Sequence, residues 1–159
     1  MRALVVVLGA LALVPSAYGW TDGGRQLSLG WPAEGLLNSP FGSDDGRPHS
    51  GLDIGVLRSL DVRAAEDGVI TRVGRLTGYE GYGLLVEVRL NERYTTLYAH
   101  LAKATVHVGQ TVSTGERLGL AGCTGWCTGT HLHFELRDRE VPIDPMPLIT
   151  GYNPALQGG

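Results

Sequence analysis

Charge is scarce in this chain of 159 residues. Asp, Glu, Lys and Arg make up 18% of it and leave a formal net charge of −3, with no cluster of Lys or Arg. A nucleic-acid partner needs a basic surface to displace counterions from phosphates, so that class is excluded. Helical patterning is also missing: no long window repeats its apolar residues every 3.6 positions, which limits helix to a turn or two. There is no G-x-S-x-G elbow for a serine nucleophile. The glycines of Gly78-Tyr79-Glu80-Gly81-Tyr82-Gly83 lack the G-x-G-x-x-G order of a dinucleotide loop and read as a turn or cleft rim.

Long apolar runs are confined to the N-terminus. Arg2, the stretch Leu4 to Val14, Pro15 and the small-residue site Ala17-Tyr18-Gly19 have the order of a secretory leader. The run is short of the ~20 apolar residues that span a bilayer. Residues 1–19 are therefore expected to be a signal peptide, with a retained anchor as the alternative. Export to the periplasm, cell envelope or medium follows, with no transmembrane segment after cleavage.

Cysteine is nearly absent as well. Cys123 and Cys127 are the two present, in Cys123-Thr124-Gly125-Trp126-Cys127. In an exported protein such a pair reads as a disulfide, worth about 2 kcal/mol for so small a loop in the chain-entropy model. A second metal site is the competing reading, although two lone cysteines rarely make one. As a disulfide, the pair would stiffen the loop that leads into His131.

What the chain does contain is glycine, 24 residues of it, and short alternating segments. Many glycines with little charge suggest a compact β protein with tight turns. Trp20 to Leu37 reads as an N-terminal arm or short edge strand, 38–150 as one domain and 151–159 as a tail. Asp61 to Ala65 and Val69 to Val73 flank Asp67-Gly68, which favours a hairpin. Leu84 to Leu90 and Tyr94 to Leu101 form a second hairpin around Asn91-Glu92-Arg93. Its returning strand is expected to turn Leu97, Ala99 and Leu101 to one side and Tyr98 and His100 to the other. Val106 to Val112 and Arg117 to Ala121 add two short strands.

The chemistry gathers in the histidines. In Gly129-Thr130-His131-Leu132-His133-Phe134-Glu135-Leu136, strand alternation points His131 and His133 one way and Leu132, Phe134 and Leu136 the other. His49-Ser50-Gly51-Leu52-Asp53 and Tyr98-Ala99-His100-Leu101 supply further donors. A catalytic zinc site takes three protein ligands and keeps one position open. His49, Asp53 and His133 make a two-nitrogen, one-carboxylate set. His131 and His100 would remain to accept a proton or stabilise an oxyanion. Scattered surface histidines are the competing account, and it fits His107 best. Glu135 shares the histidine face, either supporting a ligand or lying in solvent.

Together with Ser39-Pro40-Phe41-Gly42, Val62-Arg63-Ala64-Ala65, Asp67-Gly68-Val69 and Val108-Gly109-Gln110-Thr111-Val112, these segments make the chain similar to a known family. It resembles the lysostaphin/LytM-type zinc metallopeptidases of duplicated-hybrid-motif fold, over about residues 31 to 145 and in the family's order. The resemblance implies an all-β, mainly antiparallel single domain, sandwich-like or split-barrel-like, with little helix and a groove. It implies Zn2+ bound by His49, Asp53 and His133, with His100 and His131 as unliganded catalytic residues. It also decides which of the pair His131 and His133 is the ligand. The implied activity is endopeptidase cleavage of peptidoglycan stem peptides or cross-bridges. Separately, the chain is expected to be a monomer. A non-catalytic wall-binding or amidase-activating module of the same fold is the alternative. Two features depart from the family pattern: Cys123 and Cys127 replace small hydroxyl residues before His131, and Thr130 stands where proline is common.

Overall fold

The long strand Leu132–Asp138 holds the centre of the molecule. Its inward side chains Leu132, Phe134 and Leu136 are fully buried, while His133, Glu135 and Arg137 line the opposite face. In this computed structural model, which describes residues 21–22, 25–44 and 46–153, that strand pairs antiparallel with Tyr94–Ala99 on one side and Leu52–Gly55 on the other. The main sheet runs Thr111–Val112, Gly68–Gly74, Leu85–Arg89, Tyr94–Ala99, Leu132–Asp138, Leu52–Gly55 and Leu36–Ser39, with Val141–Ile143 added beside the central strand. A second sheet of Leu101–Ala104, Arg117–Ala121 and Asp61–Arg63 packs against it. Val62, Leu101, Leu118 and Ala121 from the small sheet meet Ile54, Val86, Tyr98 and Phe134 from the large one in a single core. The fold is thus a mainly antiparallel sandwich. Among the described residues helix is limited to the 3-10 turns Glu80–Tyr82 and Met146–Leu148.

Several local expectations need correction. Asp61–Arg63 and Gly68–Gly74 do not form a hairpin; the first joins the small sheet and the second the large one, so Asp67-Gly68 marks a crossing between layers. The hairpin of Leu85–Arg89 with Tyr94–Ala99 forms, with Val86 opposite Tyr98, but the returning strand faces the other way round. Tyr94 and Tyr98 enter the main core, whereas Leu97 and Ala99 join Leu85 in a smaller cluster under Tyr79 and Tyr82. The cause is His100, whose φ of 61° lies in the left-handed region and breaks the alternation between Ala99 and Leu101. Residues 106–110 are not a strand, and Thr111–Val112 pairs with Gly68–Gly74.

The stretch before the central domain is packed, not loose. Leu27, Leu29 and Ala33 are buried in the core, and Leu29–Gly30 pairs parallel with Ile149–Thr150. The Tyr152 ring lies 4.3 Å from that of Trp31. The leader assigned to residues 1–19 lies outside the described residues.

Candidate metal centre

His133 and Asp53 are directly opposed across the pair of central strands, so the ladder itself brings imidazole and carboxylate together. Their atoms Nδ1 and Oδ1 are 2.8 Å apart. His49 ends the hairpin strand Arg47–His49 and reaches in with Nε2 3.2 Å from His133 Nδ1 and 3.2 Å from Asp53 Oδ1. The crossing is close at Gly51: a Cβ there would lie 2.4 Å from the Phe134 carbonyl oxygen and 3.0 Å from His133 Nε2. Only glycine allows the segment that carries His49 and Asp53 to lie flat on the strand that carries His133.

Each imidazole has one nitrogen held by an acceptor and the other turned to the centre. His49 Nδ1 donates to the Pro40 carbonyl at 2.7 Å, which leaves the Nε2 lone pair facing inwards. His133 Nε2 donates to Glu135 Oε1 at 3.0 Å, so its Nδ1 faces Asp53. His100 Nδ1 donates to the Thr124 carbonyl at 2.7 Å, and His131 Nδ1 to the Gly129 carbonyl at 2.8 Å. His131 Nε2 then comes within 3.7 Å of Asp53 Oδ1. The His100 and His131 rings lie 4.7 Å apart, side by side at the edge of the set. Sequence reasoning had these five residues together, and all five line or floor one groove of about 910 Å3.

The electrostatics of the bare chain follow from how closely these side chains are set. Burial opposes a charge on His133, yet the bonds to Asp53 and Glu135 raise its pKa to about 9. His49 is raised too, first through its bond to Asp53. Burial also works against the Asp53 anion, but the two imidazoles hold its carboxyl well below the usual range. Without metal, protons cement three donor atoms that would otherwise repel. A divalent cation can replace those protons at the same point, and the three donors lie within 4.8 Å of one another. Two imidazoles and a carboxylate are a zinc-type set. His100 differs: burial lowers its pKa and keeps the ring neutral.

Behind the ligands lies a polar network that the sequence only hinted at. Glu135 is fully buried rather than solvated. Its Oε1 accepts from Ser50 Oγ at 2.6 Å and Tyr82 OH at 2.7 Å as well as from His133. Its Oε2 accepts from Arg137 Nε at 2.6 Å, and Arg137 also donates to Tyr79 OH and Tyr82 OH at 3.1 and 3.3 Å. Burial disfavours the Glu135 anion, but these donors lower its pKa to about 2. Ser50 and Tyr82 carried no motif signal, and only the i, i+2 spacing of His133, Glu135 and Arg137 marks a shared face. His107 is exposed and outside the groove lining; its amide donates to Gln110 Oε1 and its carbonyl accepts from the Gln110 amide. Cys123 and Cys127 are disulfide-bonded and Cys127 reaches the groove wall.

A donor triangle open on one side to a groove, with the imidazoles of His100 and His131 beside it, has the form of a metallohydrolase centre. The comparisons agree at the level of family. Residues 47–145 match the model of peptidase family M23, and the chain belongs to that family. It is 40% identical over 116 residues to the DD-carboxypeptidase/endopeptidase Mpg of Neisseria meningitidis, covering 69% of this chain and 26% of that protein. Among solved structures it is similar to a zinc-containing peptidase from Vibrio cholerae, with TM-score 0.67 and 32% identity over 75% of this chain and 39% of that one. It is also similar to lysostaphin from Staphylococcus simulans, with TM-score 0.64 and 28% identity over 76% of this chain and 52% of that one. The chain spans less than half the length of the first curated relatives it matches, between 21% and 49%.

Proposed function

We propose that this chain is an exported zinc metalloendopeptidase that hydrolyses peptide bonds in peptidoglycan stem peptides or cross-bridges. The observation that carries the reading is the convergence of ligand atoms from His49, Asp53 and His133 within 4.8 Å of one another, with His100 and His131 beside them in an open groove. A closed structural site would have no use for the two extra imidazoles.

His49 Nε2, Asp53 Oδ1 and His133 Nδ1 would hold the ion. When bound, zinc supplies Lewis acidity, lowering the pKa of a water and polarising the scissile carbonyl. The rest is the work of side chains. His131, beside Asp53, is assigned as the base that takes the proton of the attacking water. His100, its Nδ1–H committed to the Thr124 carbonyl, is assigned to the opposite side of the reacting carbon, where Nε2 takes up a proton from water and, so protonated, faces the oxyanion and delivers that proton to the leaving amine. Glu135 keeps His133 in the tautomer that frees Nδ1. Residues 1–19 are assigned as a leader removed on export, 38–150 as the peptidase domain with 20–37 and 151–159 flanking it, and the active form as a monomer.

Purified sacculi test the reading. Wild-type protein is expected to release peptide fragments in a chelator-sensitive way. His133→Ala should lose both metal and activity, whereas His131→Ala should keep the metal and lose activity. New amino termini in the products identify the bond cut. A wild type that binds zinc yet releases nothing overturns the enzyme and favours a wall-binding or amidase-activating module.

A further inference from the structure

The five-residue ring closed by Cys123 and Cys127 stands directly before the His131 strand, yet its hydrogen bonds run to His100. Inside the ring, the Thr124 carbonyl accepts the His100 Nδ1 proton at 2.7 Å, and the Thr124 amide donates back to the His100 carbonyl at 3.4 Å. Thr124 Oγ1 donates to the Leu101 carbonyl and accepts from the Leu84 amide, both at 2.9 Å. The Trp126 amide donates to the Gly81 carbonyl at 2.8 Å. Gly83 and Gly125 press together so closely that a Cβ on either would lie 2.4 Å from the facing backbone. His131 is held outside the ring, by the Gly129 carbonyl and by the backbone of Gly122.

His100 needs such a hold. Its φ of 61° is costly for any residue with a Cβ, and a strained residue keeps its place only where its surroundings over-determine it. Cys123, Gly125 and Trp126 are exposed, with Trp126 at 85%, so packing against the core does little to restrain this loop. Beyond the bonds from Thr124 and Trp126, the cross-link is the covalent restraint on it.

We propose that the disulfide ring Cys123–Cys127 is a positioning element for His100. Through the Thr124 carbonyl it keeps the proton on Nδ1 and the Nε2 lone pair turned to the groove. Opening the ring frees the carbonyl and lets the imidazole rotate and change tautomer. His49, Asp53 and His133 sit on other elements and keep their places. The kinetic consequence rests on the catalytic role assigned to His100 above; the tautomer does not.

The test compares the zinc-loaded full chain with its Cys123→Ser/Cys127→Ser variant and with wild type reduced by a phosphine. kcat on sacculus-derived peptides is expected to fall at least ~10-fold, since misplacing a reacting group by about 1 Å costs up to 10²-fold. KM should change less than kcat, since only Trp126 and Cys127 of the ring line the groove, and zinc content should hold, because His49, Asp53 and His133 sit on other elements. Long-range 1H–15N spectra of the His100 ring should move from a single Nδ1–H tautomer to a mixture, and reoxidation of the reduced wild type should restore it. An unchanged tautomer and kcat overturn the proposal, as does a parallel loss of zinc, kcat and KM that makes the ring a general brace. If wild type cleaves nothing, the functional reading fails while the tautomer comparison still decides this one.

Discussion

Glu135 divides its work between its two oxygens, and that division sets how firmly the metal would be held. Oε1 orients His133, while Oε2 neutralises the buried guanidinium of Arg137. Glu135→Gln keeps the shape but removes the charge. Metal affinity should drop by roughly 10- to 100-fold, the usual cost of losing a partner behind a ligand, read by chelator competition. Stability should fall too, by up to about 3–5 kcal/mol, because the buried Arg137 loses its close counter-ion and keeps only the more exposed Glu140 at 4.0 Å. Adding Arg137→Gln separates the two effects: the denaturation midpoint should recover while the metal affinity stays low. A single variant with wild-type affinity would show that Glu135 serves the fold alone.

At the level of elements, the site depends on a close approach between two paired strands. Gly51 lets the His49–Asp53 segment lie against Leu132–Asp138, and a methyl group there meets the Phe134 carbonyl. Gly51→Ala is expected to destabilise the protein by about 1–3 kcal/mol, as overpacking does, and to weaken zinc binding by spreading Asp53 from His133. Gly129→Ala, with nothing within 4 Å of the added carbon, is the control that should do neither. Thermal unfolding and zinc titration of both variants decide the point. The central strand was readable because its alternation runs unbroken from His131 to Leu136, so the facing of both histidines followed. Tyr94 to Leu101 was not: its phase was set by Leu101, and the left-handed turn at His100 inverts everything before it. Asp67-Gly68 has the chemistry of a tight hairpin, yet the flanking strands find better partners in different sheets. The network of Ser50, Tyr82 and Arg137 escaped notice because long-range burial, invisible in local patterning, is what makes it a network.

For the molecule as a whole, binding at the seam between strands couples the metal to the fold. A ligand at about 1,000 times its Kd adds about 4 kcal/mol to the stability of the folded state. Chelation should therefore lower Tm by on the order of 10 °C, measured by calorimetry with and without the ion. Because protons compete with the metal for the imidazoles, that gap is expected to close as the pH falls and to reopen on neutralisation. No gap at neutral pH would mean that the three donors do not act as one site.

The chain passes from the large sheet to the small one between Ala99 and Leu101, and the corner is made by His100. A glycine would turn that corner with no steric penalty, whereas a side chain costs roughly 1–2 kcal/mol in the left-handed region. His100→Gly and His100→Ala lose the same imidazole and the same bond to Thr124, so their difference isolates the corner. The glycine variant should be the more stable by about 1–2 kcal/mol, reversing the order expected at an ordinary strand position. Both should be equally inactive on the wall. The fold then carries a standing conflict at this one residue: the architecture is best served by having no side chain there, and the role proposed for His100 by having one.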